Sequence, residues 1–89
     1  MNEFLFKALS SKTRLQIISA LMAKDELCVC EIAPLIRKDI STVSRHVSEL
    51  ERVNVVRTRR DKKSIFVSIS DKKLVNDLLN LAEKLGDYK

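Results

Sequence analysis

Two cysteines, Cys28 and Cys30, stand one residue apart, and their sulfurs are the softest metal ligands in the sequence. In a regular helix, residues two apart point about 200° away from each other and cannot share one ion. The two sulfurs therefore converge only if Cys28 precedes the helix or if the first turn unwinds. A third ligand would have to come from Glu26, Glu31, water, an external thiol or a partner subunit.

The cysteine pair has two further interpretations. In the first, Cys28 is a buried apolar residue and Cys30 is a thiol without a role. In the second, the two thiols sense the redox state of their surroundings. Because the pair is too close in sequence to join distant segments, we expect no structural disulfide framework. The residues alone leave ion binding, redox sensing and the unused thiol open.

A segment that begins at Ser41 has the residue types needed to read DNA. Such a helix must present polar side chains to base edges in the major groove. At about 100° per residue, burial of Val43, Val47 and Leu50 leaves Arg45 on the opposite face, where it can form two hydrogen bonds to guanine. The predicted DNA contacts of this helix are Ser41, Thr42, Ser44, Arg45 and Ser48.

Basic residues dominate the two β-prone runs that follow and the polar turn between them. One interpretation is a solvated, positively charged edge that discourages strand pairing. The other is a wing whose charges contact DNA phosphates. We favour the wing, because its charges are nearly all of one sign and follow a groove-reading helix. The predicted phosphate contacts are Arg59, Arg60, Lys62 and Lys63.

The single histidine, His46, lies closer to the buried face of the reading helix than Arg45 does. We interpret it as a half-buried side chain that bonds a carbonyl group or a DNA phosphate. A metal-ligand role is disfavoured because the sequence has no second histidine to complete a site.

The predicted element order is helix, helix, helix, helix, strand, strand, helix, which is mainly α with a small β-hairpin. A helix-turn-helix followed by a basic hairpin is the winged-helix arrangement. Ser41 is the predicted N-cap of the fourth helix, and Asp71 caps the last helix. Leu15 and Leu35 are assigned to the buried faces of the second and third helices. The remaining predicted bounds are Asn2–Leu9, Lys12–Ala23, Val29–Arg37, Ser41–Asn54, Val55–Arg60 and Ser64–Ser70.

Size and charge agree with this fold. With 89 residues the chain is long enough for one domain, spanning residues 1–89, and its net charge of +5 favours a polyanionic partner. No apolar stretch is long enough to span a bilayer and no signal-like segment is visible, so we expect a cytoplasmic protein. No paired carboxylates, nucleophile–base motif or glycine-rich phosphate loop is visible in the sequence, and we expect no enzyme activity.

The first and last predicted helices carry a wide apolar surface for so short a chain, and we expect them to form a dimer interface. Two reading helices would then address the half-sites of a pseudo-palindromic operator. The competing function is a winged-helix module that binds protein. It is disfavoured because a protein-binding face should present exposed aromatic or apolar anchors. This surface instead presents Arg45 and a wing whose charges are nearly all positive. The apolar stripe of the last helix comprises Leu74, Val75, Leu78, Leu81, Ala82 and Leu85.

Three segments resemble the ArsR/SmtB family of transcriptional repressors. Phe6–Arg14 is similar to the family's opening segment, Glu26–Glu31 (ELCVCE) to its ELCVCD metal box, and Ser41–Leu50 (STVSRHVSEL) to its recognition helix. The resemblance covers essentially the whole chain. It implies a homodimeric repressor on double-stranded operator DNA. Such a repressor is released by an inducer, often a soft ion such as arsenite, antimonite, cadmium or lead.

The metal sites that the resemblance implies are incomplete in this sequence. Arsenic-responsive members have a third cysteine where this sequence has Ala33, and cadmium- and lead-responsive members use N-terminal cysteines that are absent before Cys28. The zinc-type site of the family would fall on Asp71, Lys73, Lys84 and Asp87. Its two lysines cannot act as ligands while protonated. Cys28 and Cys30 therefore remain as the candidate ion site, and an ion there would deform the helix that supports the reading helix.

Overall fold

Between residues 3 and 87, the part of the chain that the computed structural model describes, five helices enclose a small three-stranded sheet. The predicted element order is confirmed, with one strand added. The first predicted residue of the first helix, Asn2, lies outside the described residues. The elements are α1 (Glu3–Leu9), α2 (Lys12–Ala23), β1 (Leu27–Cys28), α3 (Val29–Ile36), α4 (Ile40–Arg52), β2 (Val56–Asp61), β3 (Ser64–Ile69) and α5 (Lys72–Asp87).

Helix α2 crosses the centre of the core. Its N-cap is Ser11, whose side chain accepts a hydrogen bond from the backbone N–H of Arg14. The buried side chains are Ile17, Ile18 and Leu21, so the prediction of Leu15 as a core residue is wrong. The reason is rotational. Leu15 is two residues before the buried Ile17, so its side chain points about 200° away from that of Ile17 around the helix axis and faces solvent.

Helix α3 ends where its C-cap residue, Arg37, adopts the left-handed conformation at φ 59°. This is one residue before the predicted end. Pro34 lies inside the helix, beyond the first turn. Ile32 and Ala33 face the core, whereas Leu35, which the sequence pattern assigned to the core, is 64% exposed.

Helix α4 begins earlier than predicted because Asp39, not Ser41, is its N-cap. The Asp39 carboxylate accepts the backbone N–H of Thr42 at 2.8 Å and the Ser41 hydroxyl at 3.3 Å. Ser41 therefore lies within the first turn. The helix ends at Arg52, and Asn54 follows with φ 64°, so the predicted extension to Asn54 is wrong. Its buried face is the predicted one: Val43, Val47 and Leu50.

The sheet has the strand order β1-β3-β2 and is antiparallel throughout. Strand β1 was not predicted, because two residues are too short to show an alternating pattern. It pairs Leu27 with Val67 and Cys28 with Phe66. The predicted hairpin is confirmed as β2 and β3, joined by a tight turn in which Lys62 has φ 57°.

Helix α5 begins after Asp71, whose carboxylate accepts the backbone N–H of Leu74 at 3.0 Å, as predicted for its cap. Val75 is buried in the core, but Leu74, Leu81 and Leu85 of the same helix are largely exposed. No helix within residues 3–87 is long and apolar enough to cross a membrane.

Candidate nucleic-acid interface and thiol pair

The outer face of α4 presents the polar residues that the sequence analysis assigned to DNA. Ser41, Arg45 and Ser48 are exposed, while Thr42 and Ser44 on the flanks are half-buried. Their positions follow from burial of the opposite face, which aligns the helix against the core. The α4 surface therefore offers a hydroxyl-rich strip with one guanidinium near its N-terminal end.

A small cavity of about 150 Å³ separates α4 from the wing. Ser44 and Ser48 line it from the helix, and Thr58 and Arg60 line it from β2. Thr58 donates its hydroxyl hydrogen to a carboxylate oxygen of Glu51 at 2.6 Å, which ties β2 to α4. Polar side chains of the helix and the wing therefore face each other across this cavity, whose lining also includes Val29, Val47 and Ile65.

The N-terminus of α4 carries one negative charge. Hydrogen bonds from Thr42 hold the pKa of the Asp39 carboxyl below its usual range, and nearby Arg45 acts in the same direction. Asp39 therefore stays ionised at neutral pH beside the predicted base-reading arginine. Asp39 was not predicted as a cap, although an aspartate three residues before Thr42 is a recognisable capping signal.

His46 is half-buried, as expected, and its hydrogen-bond partner in the protein is the Arg14 side chain. Nε of Arg14 donates to its Nδ1 at 3.1 Å. Arg14 also donates to the backbone oxygens of Lys7 and Ala8, at 3.3 and 3.2 Å, in the last turn of α1. Burial lowers the pKa of His46, and Arg14, Arg45 and Lys38 lower it further.

The basic wing is exposed at Arg60, Lys62 and Lys63. Arg59, predicted as a fourth phosphate contact, already has protein partners in Glu26 and Phe66. Contact with DNA would compete with those partners. Glu26 was predicted only as a possible third ligand of the thiol site, and neither Glu26 nor Phe66 was predicted to contact Arg59.

The thiol pair occupies the junction between β1 and α3. Cys28 is the N-cap of α3 and is in extended conformation, which is the arrangement that lets the two sulfurs converge. Cys30 is the second residue of α3, and its sulfur forms a disulfide bond with that of Cys28. Glu31 accepts the backbone N–H of Cys28 at 2.9 Å and completes a capping box.

The sulfurs of Cys28 and Cys30 are fewer ligands than a bound metal ion usually has. Reduction of the disulfide would supply two thiolates, but residues 3–87 contain no group of three or more His, Cys, Asp or Glu side chains placed to hold a metal. At the zinc-type position on α5, Nζ of Lys73 lies 3.1 Å from a carboxylate oxygen of Asp77. The side chain of Asp87 lies outside the described residues.

The helix-turn-helix and basic hairpin define the class: a winged helix-turn-helix regulator. Residues 11–58 match the model of the bacterial regulatory protein family named arsR. A cadmium resistance transcriptional regulatory protein, CadC, of Listeria innocua is 41% identical over 71 residues, covering 80% of this chain and 60% of that protein. The chain belongs to the ArsR family.

Two further proteins extend the comparison. A homologue of the transcriptional repressor SmtB from Synechocystis is 35% identical over 88 residues, covering 99% of this chain and 62% of that protein. A homodimeric winged helix-turn-helix DNA-binding domain from Mycobacterium bovis, solved by NMR, superposes with a TM-score of 0.81. Its identity is 26%, with 96% of this chain and 77% of that chain covered. The chain thus spans about 60% of the length of CadC and of the SmtB homologue.

Proposed function

We propose that this chain is a DNA-binding transcriptional repressor that acts as a homodimer and is released from its operator by an inducer at Cys28 and Cys30. The observation that carries the proposal is the outer face of α4. Its exposed Arg45 and serine hydroxyls continue into the basic wing across a polar groove. A helix of this kind inserts in the major groove while a wing contacts phosphate.

Within this proposal the α4 residues have separate roles. Arg45 reads guanine through its two-pronged guanidinium. The hydroxyls of the helix contact base edges or phosphates near its N-terminus, and the wing charges bind phosphate without regard to sequence. The helix hydroxyls are Ser41, Thr42, Ser44 and Ser48, and the exposed wing cations that bind phosphate in this proposal are Arg60, Lys62 and Lys63.

The test of DNA reading uses a duplex selected for binding from a random-sequence pool. Arg45→Ala should weaken binding to that duplex by about tenfold to a hundredfold, the value of one two-pronged base contact. Lys84→Ala, which removes an equal charge from exposed α5, should change affinity little. Equal losses in both variants would show that only net charge matters and would reject the reading role of Arg45.

Apolar exposure supports the homodimer. Among the residues that the structure describes, five of the eight exposed large hydrophobic side chains lie on α1 and α5. Leu5 of α1 and Leu74, Leu78 and Leu81 of α5 also line an apolar groove of about 410 Å³. We propose that a second copy fills this groove with its own terminal helices, so that residues 1–89 form one winged-helix unit per protomer. The five exposed side chains are Phe4, Phe6, Leu74, Leu81 and Leu85.

The proposed inducer is a thiophilic ion such as arsenite, antimonite, cadmium or lead. Reduced Cys28 and Cys30 would hold it through their sulfurs, with the remaining ligands supplied from outside the pair. Release of the selected duplex is measured with each ion, and with zinc, for wild type, Cys28→Ser and Cys30→Ser. Loss of release in both single variants supports the ion site. Release that persists in the double variant would exclude the cysteines as sensor.

A second candidate inducer is a thiol oxidant, and the pairing of Cys28 with Cys30 as a disulfide favours it. If an oxidant is the inducer, the protein leaves the operator when Cys28 and Cys30 form the disulfide. Oxidised and reduced glutathione mixtures without metal should then shift the fraction of bound duplex in wild type. The Cys28→Ser/Cys30→Ser double variant should stay bound across the same mixtures. No shift in wild type would leave the ion as the sole candidate.

A further inference from the structure

Arg59 of the wing and Glu26 beside the thiol pair are joined by two hydrogen bonds. Nε of Arg59 donates to one carboxylate oxygen of Glu26 at 2.9 Å, and Nη2 donates to the other oxygen at 2.7 Å. The two-pronged geometry makes this a strong form of charged hydrogen bond. The guanidinium also lies 4.4 Å from the centre of the Phe66 ring, within cation–π range. The Arg59 side chain is therefore held against protein although it is 54% exposed.

Two routes connect this contact to Cys28. Along the backbone, Glu26 precedes Cys28 by two residues, directly before β1. Across the sheet, Phe66 lies opposite Cys28 in the β1–β3 pairing and opposite Arg59 in the β2–β3 pairing. Cys28, Phe66 and Arg59 thus form one row over three strands. Both routes start at Cys28, which is buried.

We propose that the Glu26–Arg59 pair couples the thiol pair to DNA affinity. When Cys28 and Cys30 are joined, Glu26 holds Arg59 away from phosphate. When their sulfurs separate, Arg59 is released and adds a phosphate contact to the wing. This inference rests on the proposed DNA-binding function and deepens it, because it assigns a residue-level link between inducer site and wing.

The step that joins the sulfurs is an exchange with a small external disulfide. The Cys28 and Cys30 thiols each lose a proton and together give up two electrons. The S–S bond of the external disulfide breaks, and its two halves leave as thiols that carry those protons. Reduction reverses the exchange. Because unbonded sulfurs lie farther apart than bonded ones, the side chains of Cys28 and Cys30 must move apart when the disulfide opens.

The expected consequence is a change in salt dependence. Each phosphate contact contributes about −0.9 to the slope of log affinity against log salt concentration. Reduced wild type should therefore show a slope steeper by about one per protomer than oxidised wild type. Arg60, Lys62 and Lys63 contact phosphate in both states and contribute nothing to the difference.

The experiment measures this slope on mixed-sequence duplex DNA, which suffices because phosphate contacts do not depend on sequence. Glu26→Gln should give the steep slope even when oxidised, and Glu26→Gln/Arg59→Gln should lose the extra contact. The matched control is Asp25→Asn. It removes the same charge one residue away, from a carboxylate that pairs with Lys72 at 3.2 Å instead of Arg59. The control should keep the difference between oxidised and reduced forms.

A second readout needs no DNA. The NMR resonance of the Arg59 Nε–H should move on reduction toward its position in Glu26→Gln. If it does not move, the coupling is overturned, whatever the DNA result. Equal slopes in oxidised Glu26→Gln and oxidised Asp25→Asn would also overturn it. Failure of the wild type to bind any duplex would instead reject the proposed function, while the resonance still decides the coupling.

Discussion

At the scale of single residues, Arg14 joins three parts of the molecule. Its guanidinium donates hydrogen bonds to the backbone oxygens of Lys7 and Ala8 in the last turn of α1 and to Nδ1 of His46 on α4. Since Nδ1 accepts this hydrogen bond, it carries no proton, and neutral His46 bears its hydrogen on Nε2. The reading helix is therefore linked to the terminal helix through a neutral histidine.

Acidification should weaken this link. The pKa of His46 in the folded protein lies below the ordinary value of about 6.5, so the unfolded chain binds the proton first. The free energy of unfolding should decline as pH falls below about 6.5 and level off below the folded-state pKa. Denaturant unfolding from about pH 8 to about pH 5 measures the decline.

Because His46 is the only histidine in the sequence, His46→Gln is a direct control. The variant should lose the part of the pH dependence that lies between the two pKa values. An unchanged pH profile in His46→Gln would show that other groups produce the decline.

At the scale of elements, the start of α4 depends on one carboxylate. Asp39 satisfies the Thr42 N–H and orders Ser41 in the first turn, where the proposed DNA contacts begin. The hydrogen bonds from Thr42 lower the pKa of Asp39, because they favour its charged form. The orientation of the reading helix therefore rests partly on a residue that does not itself read DNA.

Asp39→Ala should lower the melting temperature by a few degrees, the usual effect of losing a helix cap in a domain of this size. Ser41→Ala should lower it less, because Ser41 is not the cap. Asp39→Asn retains a side-chain oxygen and should keep most of the stability. Thermal melts followed by circular dichroism compare the variants. A larger loss in Ser41→Ala would contradict the assignment of the cap.

At the scale of the whole molecule, the terminal helices leave apolar surface uncovered. Among residues 72–86 of α5, only the side chain of Val75 is buried. Leu81 on the same helix is 59% exposed. Exposed apolar area of this kind marks an interaction surface. The proposed dimer covers it and also sets the spacing between the two reading helices.

Leu81→Glu should convert the dimer to monomer and remove the dependence of melting temperature on protein concentration. Leu35→Glu is the matched control, since Leu35 is similarly exposed at 64% but lies on α3. Sedimentation velocity measures the oligomeric state of both variants. Dissociation by Leu35→Glu, or a persistent dimer in Leu81→Glu, would place the interface elsewhere.

Local sequence determined the helices, the wing hairpin and the buried face of α4. The spacing of Val43, Val47 and Leu50 predicts which side of α4 is buried, since helical periodicity depends only on neighbours in the chain. Local patterns also predict the wing hairpin, and they require either that Cys28 precede α3 or that the first turn unwind if the two sulfurs are to meet; the structure has Cys28 before α3. The cap of α4 was misassigned because Asp39 and Ser41 are both good capping residues.

Tertiary structure alone decided the long-range pairs. Arg14 meets His46 across 32 residues, and Glu26 meets Arg59 across 33. Strand β1 exists only because β3 offers it an unpaired edge. No local pattern encodes such contacts. They form when the helices pack on a shared core and bring distant charges into reach, which is why the contact of Arg59 with Glu26 was not predicted.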